Sequence, residues 1–472
     1  MTCALEADTI AAVATAPGRS ALAVVRMSGP LCADILRRVL PSLEGRLPPE
    51  RSSALLPIVD PESGELLDRG LVTWFPGPRS YTGEDSAEFS VHGGTLIPAL
   101  VLDALGRAGA RQARGGEFTQ RAWLNGKVDL VQAEGVRDLV EAESEAQRRA
   151  ALLQTEGGLS KRLEALREGL VHLEALLTYH VDFPEEDEPP VPIARIMAEG
   201  RALEGGLGGL LATAPEGELL QEGAVTVLAG RPNSGKSSLF NALLGETRAI
   251  VTEEPGTTRD AIEARISLGG YPFRLVDTAG IRGEEAGLVE RMGIEVARRY
   301  LARADLVLLC IRADEGWGAE EEGFLGEIPS GSIIVPVRTM VDRLSGRESG
   351  RVAEALRGEE CPVPGGETPL PVSVVSGSGL AELRERLPAR AFGRLLAAGS
   401  EVPVLTRRRQ REGVRSALEE LEAFGDALRT GVPADIAATH LRMAGAALEE
   451  LVGAIQSEEV LDRVFGEFCI GK

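Results

Sequence analysis

Cysteine is scarce in this sequence and poorly placed for paired chemistry. Cys3, Cys32, Cys310, Cys361 and Cys469 are scattered over 472 residues with no Cys-x-x-Cys pair. An odd, dispersed set argues against a disulfide framework and a structural zinc site, and suits a reducing cytoplasm. Long apolar runs are also missing: no stretch approaches the roughly 18 residues that a membrane span needs. The N-terminus lacks a basic region and carries Glu6 and Asp8, so a signal peptide is not expected. Positive charge is short as well, with 51 Lys and Arg against 72 Asp and Glu, a net charge of −21. A chain that grips nucleic acid by itself shows a basic balance or stripe. An acidic chain acting on RNA is therefore expected to work with a partner that supplies much of the phosphate-binding surface. The run Arg407, Arg408, Arg409 and Arg411 is open to two readings, a local basic patch or a solvated helix start.

What is present divides the chain. A length of 472 residues is too great for one core, so two or three domains are expected. Residues 1–127 mix short β-like runs (Leu22–Met27, Leu71–Phe75, Ala87–Val91) with Gly and Pro turns, the texture of an α+β domain. From Val128 the pattern becomes helical. Leu159, Leu163, Leu166, Leu170, Leu173 and Leu177 recur in steps of four and three, one apolar helix seam. The acidic, proline-rich segment Asp182–Pro192 ends that helix. Residues 220–385 read as alternating strands and helices starting at the strand Ala224–Ala229. Helical periodicity returns over 386–472, so 128–219 and 386–472 are read as two halves of one helical domain with an α/β domain inserted.

The inserted block carries a nucleotide site. Gly230-Arg231-Pro232-Asn233-Ser234-Gly235-Lys236-Ser237 fits G-x-x-x-x-G-K-[ST] between a strand and a helix, the context of a P-loop. Its backbone N–H groups can wrap phosphates, Lys236 reaches the β and γ oxygens, and Ser237 can ligate Mg²⁺. The phosphate cradle continues into Ser238. About twenty residues on, Gly256-Thr257-Thr258 offers Thr258 to complete the Mg²⁺ shell, as in a switch loop. Asp277-Thr278-Ala279-Gly280 supplies a Walker-B-type Asp277, and the Gly280 N–H can meet the γ-phosphate. The guanine reader is degenerate: where Asn-Lys-x-Asp is usual, this chain has Thr339-Met340-Val341-Asp342 after the strand Ile333–Val337. Asp342 can still accept from guanine N1–H and the 2-amino group, and Ser373-Val374-Val375, ending another strand, stands where the base edge is contacted. GTP is favoured over ATP on these residues. Ile281 occupies the place of the water-orienting Gln of Ras-like enzymes, which leaves Glu290 as the candidate for positioning water.

Together these motifs resemble the MnmE (TrmE) family from end to end. Further matching stretches are Asp8-Thr9-Ile10-Ala11-Ala12, Ser80-Tyr81-Thr82-Gly83-Glu84-Asp85, Val91-His92-Gly93-Gly94, Gly116-Glu117-Phe118-Thr119-Gln120-Arg121-Ala122, Leu124-Asn125-Gly126-Lys127 and the terminal Phe468-Cys469-Ile470-Gly471-Lys472. The resemblance implies a multidomain α/β and α fold: an N-terminal α+β folate-binding and dimerisation domain, a split helical domain and an inserted Ras-like P-loop G domain. It implies a cytoplasmic homodimeric GTPase, stimulated by potassium, that works with the FAD protein MnmG as a heterotetramer. Together they would add a (carboxymethyl)aminomethyl group at C5 of the wobble uridine of certain tRNAs. The one-carbon unit would come from a tetrahydrofolate, 5-formyl or 5,10-methylene. Arg26, Glu88, Lys127 and the terminal Lys472 would contact the folate, by ion pairing and by hydrogen bonds to a pterin amide edge. Asn233, Thr252, Thr257 and the carbonyl of Glu254 would hold K⁺, within a nucleotide-binding stretch that includes Glu253 and Pro255. There the ion neutralises charge developing between the β and γ phosphates. Glu290 aligns with the family's water-positioning glutamate. Cys469 stays open between a thiol with a chemical role and a small residue packed at a domain junction. Two other functions compete: a regulatory GTPase of ribosome assembly, and a folate-binding scaffold with an inactive G domain.

Overall fold

The computed structural model describes residues 8–182, 191–245, 262–277, 298–315, 317–329, 331–344, 367–399 and 402–453, with 461, 464–466, 468 and 471 near the C-terminus. Thr252, Glu253, Glu254, Pro255, Gly256, Thr257, Thr258, Thr278, Ala279, Gly280, Glu290, Cys469 and Lys472 lie outside the described residues. The chain forms two compact units. The first comprises residues 1–137, 155–167 and 446–472, and the second residues 138–154 and 168–445.

Alternation builds the first unit. Ala23, Val25 and Met27 are buried and Val24 and Arg26 half-buried along one strand, the period of two expected where a sheet has one covered face. Strands β1 (Ile10–Val13), β2 (Leu22–Ser28), β3 (Ala54–Val59), β4 (Leu66–Phe75), β5 (Ser86–His92) and β6 (Arg111–Gln112) form one sheet in the order β3-β4-β5-β2-β1-β6. Val72, Trp74, Ala87, Phe89 and Val91 continue the buried face. They pack with Ile35, Leu36 and Val39 of α1 (Cys32–Val39) and Val101 and Leu105 of α2 (Leu96–Arg107). The other face carries Arg26 and Glu88, directly opposite each other in the antiparallel β2–β5 register. The expected runs at 22–27, 71–75 and 87–91 all lie within strands.

Helix α3 (Glu117–Leu124) starts at Gly116, whose φ is +70°. A Cβ at Gly116 would stand 2.5 Å from the Phe465 carbonyl oxygen, and one at Gly115 would stand 2.7 Å from that of Phe468. The far C-terminal segment thus closes over the start of α3, and glycine is the residue that admits so close an approach. Leu130 and Ala133, in α4 (Leu130–Glu141), share a small core with Phe465 and Phe468.

Helices α5 (Glu145–Thr155), α6 (Gly158–Asp182, of which residues 168–182 belong to the second unit), α7 (Ile193–Leu211) and α8 (Ala214–Glu222) lead to β7 (Ala224–Ala229). All six leucines of the predicted α6 seam are buried. A Cβ on Gly200 of α7 would lie 3.7 Å from Leu173 and 3.9 Å from Phe424, so α6, α7 and the helix Arg408–Arg429 meet at this small residue. After α9 (Lys236–Gly245) come β8 (Ile262–Leu268), β9 (Tyr271–Asp277), β10 (Leu306–Arg312), β11 (Ile333–Thr339) and β12 (Leu370–Pro371). The sheet order is β12-β11-β10-β7-β9-β8; all neighbours are parallel except the antiparallel edge β8. Strand β10 is buried from Leu306 through Ile311, as a parallel strand covered on both faces must be. The core of this sheet takes in Leu220 and reaches Leu387, Ala391 and Phe392, past residue 385.

Candidate functional site

The loop between β7 and α9 bends through three left-handed positions, Gly230 (φ +140°), Asn233 (φ +60°) and Gly235 (φ +83°). A Cβ at Gly230 would lie 2.3 Å from the Cys310 carbonyl oxygen, so the loop can hug β10 only with glycine there. Such turns aim successive N–H groups inward as an anion nest. Lys236 is buried, and its Nζ donates to the carbonyls of Gly230 (2.9 Å) and Arg231 (2.7 Å). The ammonium is thereby held at the mouth of the nest, where phosphate oxygens can replace carbonyl oxygens as acceptors. Ser237 and Ser238 are exposed beside it, as is Asn233. Asp277 ends β9 and is buried, paired in register with Leu228 of β7. That puts a carboxylate at the carboxyl end of the sheet, where open α/β sheets bind ligands. Arg231 is pinned by the buried Glu321 and by Glu315 at 3.7 Å.

The base side is built from β11 and the turn after β12. Thr339 is the last residue of β11 and is buried; its Oγ1 donates to the Ser234 carbonyl at 2.7 Å. Met340 follows at φ +58°, with its Cε 3.2 Å from the position of a Cβ on Gly235. Val341 and Asp342 lie in a short 3-10 turn. Asp342 is exposed, and its Oδ1 accepts from the Ser373 hydroxyl at 2.6 Å. One expectation needs correcting here: Ser373-Val374-Val375 does not end a strand. β12 stops at Pro371, and Ser373 N–H donates to the Ser378 carbonyl at 2.9 Å, opening a turn. Val374 and Val375 are exposed in that turn.

The second cluster lies in the N-terminal sheet. Arg26 reaches Glu88 through both Nε (2.9 Å) and Nη2 (2.8 Å), a charge-assisted pair. Arg26 also donates to the Gly471 carbonyl at 3.4 Å, and its guanidinium carbon sits 5.6 Å from the Tyr81 ring centre and 5.8 Å from that of Phe118. A cavity of about 190 Å³ is lined by Arg26, Phe75, Tyr81, Thr82, Ser86 and Glu88. Aromatic walls with one cation and one carboxylate suit a flat, amide-edged ring that carries an acidic tail. Lys127 is exposed and donates to the Pro78 carbonyl at 3.1 Å. It does not line the cavity, but its Cγ lies 3.4 Å from where a Cβ on Gly83 would be, against the loop that supplies Tyr81 and Thr82. Phe75, Tyr81, Thr82 and Ser86 were not singled out as ligands by sequence; only Tyr81 and Thr82 fell within the Ser80–Asp85 stretch.

Beneath this loop a charged network was also illegible. Arg121 pairs with Asp8 (2.6 Å), Glu84 (3.2 Å) and Glu117 (3.2 Å). Arg111 reaches Glu117 at 2.5 Å. Burial pushes the Glu117 carboxyl up, but hydrogen bonds from Arg111 and the Arg114 N–H bring it below 4.5. The arginine run at 407–411 is largely neutralised: Arg407 pairs with Asp138, Arg408 with Glu412 at 2.5 Å, and Arg411 with Glu218 at 2.6 Å. Among the described residues no helix is long and apolar enough to cross a membrane.

The GTP-binding protein TrmE N-terminus model matches residues 9–127, and the MnmE helical domain model matches residues 130–469. The tRNA modification GTPase MnmE of Heliobacterium modesticaldum is 40% identical over 98% of this chain and 99% of its own length. That of a Methylobacterium species is 43% identical over 98% of this chain and 100% of its own. The Methylorubrum populi protein of the same name is 42% identical, covering 98% of both chains. With both family models matched across the length of the chain, and a P-loop on the inserted sheet, the chain belongs to the MnmE family of GTP hydrolases.

Proposed function

We propose that the chain is a potassium-stimulated GTPase that, with an MnmG-type FAD partner, adds a (carboxymethyl)aminomethyl group at C5 of the wobble uridine of certain tRNAs. The observation that carries this reading is the cavity at Arg26 and Glu88 in the same chain as a P-loop. A GTPase that only timed an assembly step would have no use for it.

At the nucleotide, Lys236 would move from its loop carbonyls to the β and γ oxygens, and Ser237 and Asp277 would hold Mg²⁺ directly or through water. The metal supplies neutralising charge when bound. Asn233 would join Thr252, Thr257 and the Glu254 carbonyl around K⁺, which takes the part of an arginine finger. Glu290 would orient the attacking water and Thr258 complete the Mg²⁺ shell.

In the N-terminal cavity, Glu88 would accept from a pterin amide edge and Arg26 would meet a carboxylate, with Lys127 and Lys472 at the rim. The tetrahydrofolate carries the one-carbon unit. The carbonyl of Gly471 is bonded to Arg26, and Cys469 and Lys472 are its near neighbours in sequence. A dimer in the cytoplasm, joined by the FAD protein and tRNA, completes the proposal. It also suits a chain of net charge −21, whose RNA contacts would be shared with a partner.

The test is calorimetric titration of the full chain with 5-formyltetrahydrofolate. Saturable binding to the natural chain, weakened at least about tenfold in Glu88→Gln by loss of a charge-assisted bond, is expected. No binding by the natural chain would overturn the folate part of the proposal.

A further inference from the structure

Base recognition in this chain departs from the asparagine-based pattern in a way the side-chain hydrogen bonds define. Guanine presents N7 and O6 as acceptors on its outer edge, so reading N7 takes a donor. An asparagine amide has two N–H donors and can both tie down the phosphate loop and read N7; a threonine hydroxyl has a single proton. Thr339 Oγ1 lies 2.7 Å from the Ser234 carbonyl and 3.3 Å from the Ile311 carbonyl, both of them acceptors. Its proton is committed to the protein, and Thr339 is buried. Freeing the hydroxyl for a ligand would leave the Ser234 carbonyl without this bond. What Thr339 turns toward a base is lone pairs, which meet N7 as like against like.

Among the described residues, the neighbouring side chains at Met340, Asp342 and Ser373 do not replace the missing donor. Met340 carries only a thioether, a weak acceptor, and it packs over Gly235. Asp342 only accepts when ionised. Ser373 spends its proton on Asp342 Oδ1 at 2.6 Å while its own oxygen accepts the Ser376 N–H at 3.2 Å. That chain of bonds fixes the Asp342 carboxylate and leaves its remaining lone pairs for two donors on one edge, the guanine N1–H and 2-amino group.

We propose that this nucleotide site does not read purine N7: Thr339 serves as a tether between β11 and the phosphate loop, and Asp342, oriented by Ser373, selects guanine by its N1 and 2-amino edge. The proposal rests on the reading of the inserted sheet as a guanine-nucleotide hydrolase.

The experiment is displacement of a fluorescent GDP analogue from the full chain, with Mg²⁺ present, by GTP, 7-deaza-GTP (N7 replaced by C–H) and ITP (no 2-amino group). GTP and 7-deaza-GTP are expected to compete within about twofold of each other, and ITP about tenfold more weakly, the scale of a hydrogen bond to a charged group. In Thr339→Asn the amide restores a spare donor, and GTP should then outcompete 7-deaza-GTP by about fivefold. Should Thr339→Asn not fold, Thr339→Val gives a second reading: both nucleotides weaken together and their ratio stays near one. A natural chain that binds 7-deaza-GTP about tenfold more weakly than GTP overturns the proposal while leaving the GTPase reading intact. Equal competition by ITP and GTP overturns the role of Asp342. GTP that fails to displace the probe overturns the GTPase reading itself, and this inference with it.

Discussion

At the scale of single residues, the two clusters rest on side chains whose partners were fixed by distant parts of the chain. Lys236 is the clearest case legible beforehand, because its spacing within the loop motif dictates its place. Replacing Lys236 with Ala removes the cation proposed to meet the β and γ oxygens. GTP turnover should fall at least about a hundredfold, the scale of losing a transition-state stabiliser, with melting temperature little changed; a phosphate-release assay checks it. Glu117 could not be read from sequence, since it matters only because Arg111 and Arg121 converge on it. Its carboxyl is held below 4.5 in the folded chain. A depressed carboxylate contributes stability above its unfolded value, and that contribution is lost as pH falls through the folded one. Melting temperature should therefore decline as pH drops below about 4.5. Glu117→Gln should lose part of that dependence and be less stable at neutral pH by about 2 kcal/mol, the scale of charge-assisted hydrogen bonds lost from Arg111 and Arg121, which keep Asp8 and Glu84 as partners. Thermal melts of both chains across pH 3–7 (roughly the carboxylate range and above) test this. An unchanged slope in the variant would contradict it.

At the scale of elements, sequence reading succeeded wherever periodicity carried the information. The α6 leucine seam, the alternating strand β2 and the buried run of β7 were all visible because burial imposes a period of 3.6 or 2 on any chain. It failed at the end of β12, where a proline in the strand and a return turn at Ser373 leave no periodic signal. It also could not foresee the start of α3. Both Gly115 and Gly116 are backed by the carbonyls of Phe468 and Phe465, some 350 residues away in sequence. Gly116→Ala would combine a left-handed φ with a Cβ against a carbonyl oxygen. The expected loss is about 2 kcal/mol, read by urea unfolding. Because the Gly471 carbonyl meets Arg26, the folate affinity proposed for the cavity should fall as well.

At the scale of the whole molecule, order of motifs along the chain said more than composition. The acidic balance pointed away from unaided RNA binding; in the structure the arginines at 407, 408 and 411 pair with Asp138, Glu412 and Glu218. Pairings of this kind join residues 4 to 269 positions apart, so only the shortest of them could have been seen in the sequence. The family's whole-chain relationship supplies what neither charge nor periodicity could, a reason for one chain to hold both a P-loop and a lined cavity at Arg26 and Glu88.

The central claim is that the inserted domain is a working GTP hydrolase driven by a potassium site despite its altered base reader. The measurement that tests it most directly is hydrolysis of GTP and of ATP by the purified full chain in KCl and in NaCl at equal ionic strength. GTP turnover faster in K⁺ than in Na⁺ is expected, with ATP a poor substrate in both. Turnover of GTP that is identical in the two salts would contradict the potassium site, and absence of GTP turnover in either would contradict the hydrolase itself.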